Sequence, residues 1–186
     1  MNVLYWVLGV AVLIALWVIL AYNRLVSLMY RAKEALSDID VQLKRRYDLI
    51  PNLVETVKGY MQHERQVFEN VTMARAKAIS GSGSLNEKAQ AEDALSLNLK
   101  TLFAVAENYP DLKANANFLD LQRELADTEN KIQAARRFYN GNVRDLNIKI
   151  ESFPANILAT VFRFSKMEFF DLADNDVAQN PVAVKF

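Results

Sequence analysis

The chain has no cysteine, a single histidine, five glycines and four prolines in 186 residues. Each scarcity excludes something. Without cysteine there is no disulfide, no thiol nucleophile and no thiolate metal ligand, and this absence does not choose a cellular compartment. The lone histidine, His63, has no second imidazole at helical spacing, and the His63-Glu64 pair lacks the downstream histidine of zinc hydrolases. No metal or cofactor is therefore expected. His63 is the one side chain whose ordinary pKa lies near neutrality, and a structural or interface role is expected for it. Neither a glycine-rich phosphate loop nor a nucleophile elbow occurs. Basic and acidic side chains balance at 22 each, with no basic tract beyond Lys44, Arg45 and Arg46, so no nucleic-acid partner is expected.

Charge is absent altogether from Met1 to Asn23. At about 1.5 Å per residue, Val3 to Tyr22 spans roughly the 30 Å of a hydrocarbon core, so residues 1–23 are predicted to be a transmembrane anchor. Tyr5 and Trp6 toward one end and Trp17 and Tyr22 toward the other suit the headgroup interface. A cleaved signal peptide would want a basic leading region, a shorter apolar core and small residues before a cleavage site. Arg24, Arg31 and Lys33 come after the span and no basic residue precedes it, which predicts the N-terminus outside and the body in the cytoplasm.

What is present beyond the anchor is helical periodicity. Leu36, Asp40, Leu43, Tyr47, Ile50, Val54, Val57, Met61, Glu64, Phe68, Val71, Arg75 and Ala78 succeed one another in alternating steps of four and three. Such a heptad seam predicts one long helix over 24–80, kinked at Pro51 but not turned back there, with Asp48 capping the restart and Gly59 marking a close helix approach. The loop SGSGSLNE closes it. A second helix is predicted over 86–107, and a third over 111–152, carrying Phe118, Leu121, Leu125, Thr128, Ile132, Ala135 and Tyr139 at steps of three and four. The aromatic stretch 155–172 reads as a short amphipathic closing segment, or as an element lying on the bilayer, and 173–186 as a mobile tail.

The run IDVQLKRRYDLIPNLVETVKGYMQHE, with YPDLKANANFLDLQRELADTENKI, ARRFYN and IESFP downstream of it, resembles the LemA family of bacterial membrane proteins. The likeness covers nearly all of the chain. It implies an all-α fold, an N-terminal transmembrane helix continuing into a long antiparallel helical bundle, at the bacterial inner membrane, with no activity common to the family. Members are often encoded beside membrane proteases or other membrane-associated domains, which points to partners of that kind.

Charges on a packing seam are expensive unless met across the interface, so Asp40, Glu64, Arg75, Glu129 and Arg136 are the candidate buried ion pairs that set helix register. A di-metal centre would need repeated Glu-x-x-His pairs that this chain cannot supply. Arg31, Lys33, Lys44, Arg45, Arg46, Arg163 and Lys166 are candidate contacts to anionic lipid or an acidic partner. The first and third helices are much longer than the second, so parts of their seams need cover from the segment after Pro154, from the membrane or from a second copy. The expected role is a non-enzymatic scaffold that self-associates and organises the membrane or its proteins. The alternative is an adaptor that binds a membrane protease or signalling partner.

Overall fold

The computed structural model describes residues 2–61, 63–81 and 83–170. Among them the regular structure is all α-helix: α1 (Asn2–Lys58), α2 (Arg65–Ser80), α3 (Leu85–Ala106), α4 (Pro110–Lys113), α5 (Ala116–Glu151) and α6 (Ala155–Val161). The predicted tail, 173–186, lies outside the described residues. The chain forms two compact units. One draws on Met1–Asp38 and Ala135–Glu168, the other on Ile39–Ala134 and Phe169–Phe186, in each case through their described residues.

In the second unit the expected single helix over 24–80 is replaced by a hairpin. Pro51 lies inside an uninterrupted α1, and the break comes at Gly59, where the Tyr60 and Met61 amides both bond the Val57 carbonyl and the last turn tightens. Glycine is a poor helix former, and α2 folds back so that Tyr47 on α1 meets Arg75 and Ala78 on α2. The seam pattern is in register on both arms, which is why it reads as one rod. Asp48 caps nothing and instead accepts from Lys44. A Cβ built on Gly59 meets nothing within 4 Å, so this glycine marks no close approach and serves the turn.

α3 starts one residue earlier than predicted, at Leu85, because Ser84 accepts from the Glu87 amide at 3.2 Å while the Glu87 carboxylate accepts from the Ser84 amide at 3.2 Å. Gly83 makes that possible, since a Cβ there would run into the Glu87 carboxylate. The predicted third helix is split at Ala114 and Asn115, where the Asn115 side chain accepts from the Phe118 amide and opens α5. The core of this unit joins Ile50, Leu53, Val57 and Met61 to Phe68 and Val71 of α2, Leu95, Leu99 and Leu102 of α3, Leu112 of α4, and Phe118 and Leu125 of α5.

In the first unit α1 and α5 run antiparallel, and α6 closes them. Leu158 and Ala159 pack on Ala21 and Leu25, with Val18, Ile150 and Phe164 against the same cluster. The Tyr139 hydroxyl donates to the Glu168 carbonyl at 2.7 Å, and Asn147 bonds both the amide and the carbonyl of Met167. The helical part of the closing segment is Ala155–Val161 alone, and residues 162–170 are irregular. The cover for the long seam here comes from the chain's own return after Pro154. From Val3 to Trp17 α1 is exposed, and Val3 to Leu20 is an apolar stretch long enough to cross a membrane.

Candidate functional site

The strongest concentration of polar side chains lies inside the second unit and is centred on Arg46. The buried positions of α1 include Ala35, Ile39 and Leu43, two consecutive steps of four where a strict heptad alternates four with three. That extra step moves the buried face by one residue, so that Arg46 is fully buried while Tyr47 is half-buried beside it, and Ile39 takes the inward place of Asp40. Arg46 is 1% exposed and Glu92 on α3 is 0% exposed. Arg46 Nη2 donates to the Glu92 carboxylate, and Nη1 donates to Glu129 Oε2 on α5 at 2.6 Å and to Ser96 Oγ at 2.7 Å. Ser96 donates its own hydroxyl hydrogen to Glu129 Oε2 at 3.2 Å. The Tyr47 hydroxyl donates to the other Glu92 oxygen. One guanidinium thus ties α1 to α3 and α5, and the second carboxylate of the cluster remains 28% exposed, which lets water meet the excess negative charge.

Burial and the Glu92 carboxylate together push the Tyr47 phenol well above its ordinary range. Beside the tie a groove of about 250 Å³ is lined by Leu99, Phe103 and Leu125, with Arg46, Ser96 and Glu129 as polar members. The arrangement is suited to holding helices in one register. No cluster of three or more His, Cys, Asp or Glu fit to hold a metal occurs among the described residues.

The other sequence candidates have separate fates. Of the predicted register residues, Glu129 joins the buried tie; the tie's other carboxylate, Glu92, reads in the sequence only as an acidic residue early in its helix. Asp40 is exposed and pairs with Lys88 at 2.5 Å. Glu64 is half-buried and accepts from the Tyr109 hydroxyl at 3.3 Å; desolvation, with that carboxylate, raises the Tyr109 phenol. Arg136 is half-buried in the first unit. Arg75 does something the sequence does not announce. Proline has no amide hydrogen, so Pro51 frees the carbonyl four residues back, that of Tyr47, and Arg75 Nε donates to that carbonyl at 2.8 Å.

Of the predicted lipid or partner contacts, Arg46 is overturned: it is the most buried charge that α1 brings to the second unit's core. Its neighbours are engaged within the protein, Lys44 with Asp48 at 3.2 Å and Arg45 with Asp127 at 3.6 Å and Glu124 at 3.9 Å. A hydrogen bond from Lys131, with the charges of Lys131 and Arg45 adding to it against some desolvation, holds the Asp127 carboxyl below the usual range. Lys166 pairs with Glu151. Arg31 is exposed, and Lys33 and Arg163 line one cavity in the first unit. His63 is exposed in the turn before α2.

A helix able to cross a bilayer, continuous with antiparallel helices held by an internal ionic tie, defines a membrane-associated helical-bundle protein. More particularly, the chain belongs to the LemA family, whose model matches residues 35–186. It is 22% identical over 177 residues to the magnetosome protein MamQ of Magnetospirillum gryphiswaldense, an alignment covering 82% of this chain and 65% of that protein. To MamQ 2 of Paramagnetospirillum magneticum it is 24% identical over 189 residues, covering 88% of this chain and 69% of the relative. To protein LemA of Metamycoplasma hominis it is 24% identical over 163 residues, covering 83% and 74%. The chain therefore spans about two thirds of the length of the magnetosome relatives it matches.

Proposed function

We propose that this protein is a non-enzymatic, membrane-anchored scaffold that self-associates through its long helices and organises the bacterial inner membrane or its proteins, with the bundle in the cytoplasm. The observation that carries the reading is exposed apolar surface on α5. Phe138 and Ile148 stand 62% and 55% exposed on a helix that already buries Tyr139, Val143 and Leu146. Large apolar side chains left exposed on a helix that already has one packed side are places where a second neighbour can seat. The names of the relatives, magnetosome protein and LemA, state no reaction and are compatible with a structural role.

The test is the mass of the full-length protein in mild detergent, by light scattering, for the natural chain and for a variant carrying both Phe138→Glu and Ile148→Glu. The scaffold reading expects an assembly for the first and its dissociation, with helix content kept, for the second. A natural chain that stays monomeric at high concentration overturns self-association and leaves the outer face of α5 for another protein, such as a membrane protease.

A further inference from the structure

The cavity of the first unit stands where the span leaves the bilayer. It has a volume of about 470 Å³ and is lined by the rings of Tyr22, Tyr30, Phe162 and Phe164 and by two cations, Lys33 and Arg163. We propose that it seats the phosphate-bearing headgroup of an anionic phospholipid, with Lys33 and Arg163 as the charged contacts.

The depth of the cavity is set by packing. Leu158 and Ala159 of α6 rest on Ala21 and Leu25, and Val18 of the apolar stretch touches the same cluster. Val3 to Tyr22 accounts for roughly 30 Å of hydrocarbon. α6 is therefore level with the last turn of the span. Its exposed side chains Ile157 and Val161, one turn apart, with exposed Phe153 in the turn before it, face the acyl boundary, as an element lying in the interface does. Tyr22 stacks edge-on against Phe162 and Phe164, with ring centroids 4.9 and 5.8 Å apart, and fixes the segment carrying Arg163 beside α1.

The charge of the cavity selects its occupant. Among the described residues no carboxylate lines it and neither Lys33 nor Arg163 forms an ion pair, whereas nearby Lys166 pairs with Glu151. The Lys33 ammonium lies 5.5 Å over the Tyr30 ring, one turn back toward the membrane, the direction in which helical side chains lean. Arg163 takes a left-handed backbone conformation with φ 58°, which glycine or asparagine adopts more easily. The guanidinium is thus carried by a sterically awkward position, and its planar fork matches two phosphate oxygens. An anionic lipid is thereby favoured over a zwitterionic one, whose own ammonium would meet these cations.

The inference rests on the membrane-anchored part of the proposed function and is independent of self-association. Full-length protein in mixed micelles containing equal amounts of phosphatidylglycerol and phosphatidylcholine is transferred to native mass spectrometry, and retained lipid is counted per chain. About tenfold preference for phosphatidylglycerol is expected, falling about fivefold with either Lys33→Gln or Arg163→Gly. Because glycine relieves the backbone at position 163, that variant keeps its helix content. Equal retention of the two lipids overturns the proposal, as does preference undiminished in both variants. Displacement of the lipid by inorganic phosphate at comparable concentration overturns it too, since the site would then be one for free phosphate. Copy number is read in the same spectra, so failure of self-association and failure of the lipid seat are separate results.

Discussion

Arg46 shows how much one residue can decide in a helical bundle. A guanidinium taken wholly out of water is tolerated only because two carboxylates, a serine hydroxyl and the Glu92 carbonyl surround it. Removing it leaves Glu92, with no exposure of its own, as an uncompensated buried charge beside the Tyr47 phenol. In the full-length protein in mild detergent, Arg46→Met is expected to cost about 3–5 kcal/mol of stability, read by denaturant unfolding monitored through helix content. Adding Glu92→Met recovers the larger part, because two apolar chains of similar volume carry no desolvation penalty. Arg46→Lys recovers little, since an ammonium on a flexible stem cannot make the same fork to two helices. A neutral Arg46→Met would show that the tie contributes nothing to the fold. Three adjacent basic residues on a helix cannot share one environment; which one turns inward is decided by a single extra step of four upstream.

At the scale of elements, the continuity of α1 depends on α2. A proline in the interior of a helix leaves a carbonyl unpaired, and here the unpaired group is satisfied from the neighbouring helix by Arg75. The hairpin at Gly59 is thus more than a way to add a helix: it returns the donor that lets α1 run past Pro51 without a break. A double-mutant cycle tests this. Arg75→Leu is expected to destabilise by about 1–2 kcal/mol, the cost of a partly buried carbonyl losing its partner. In a Pro51→Ala background position 51 has its own amide to bond Tyr47, so the same substitution is expected to cost less, with a coupling of about 1 kcal/mol. Additive effects would mean that the Arg75 contact and the proline are unrelated. Element existence was legible from periodicity in α1, α3 and α5, where Phe118, Leu125, Thr128, Ile132 and Tyr139 are buried as their spacing implies. Where helices end was less legible. Gly59 and Asn115 are weak helix formers that a helix pattern can still carry, and the breaks there are settled by what Tyr60, Tyr109 and Asn115 meet across the turns.

For the whole molecule, titration gives a reading that no single site provides. Of the seven tyrosines, Tyr47 and Tyr139 are raised above the ordinary phenol range by burial and then by Glu92 and Glu168 respectively, and Tyr109 by desolvation and Glu64. A raised folded-state value means that the folded chain holds these protons longer than the unfolded one does. Their contribution is fully present below about pH 10 and is lost as pH rises through the elevated values. In an alkaline titration the last phenolates are therefore expected to form together with the loss of helix, and Tyr47→Phe should remove one of them. Seven phenolates forming together with the helices intact would contradict these placements.

Some of this protein was determined by sequence alone: the uncharged span, the all-α class, the family, and the absence of thiol chemistry all come from composition, local periodicity and motif, which need no knowledge of what lies opposite. Tertiary structure decided the rest. Glu92 reads as an ordinary acidic residue on a helix, Arg75 as a seam charge and Arg163 as a surface cation. The partners of the first two lie 46 and 28 residues away along the chain, and the cavity of the third is completed by α1. The physical reason is the same in each case. Burying a charge or a carbonyl is decided by the partner that meets it across a helix interface, and sequence spacing reports only the face on which a side chain sits.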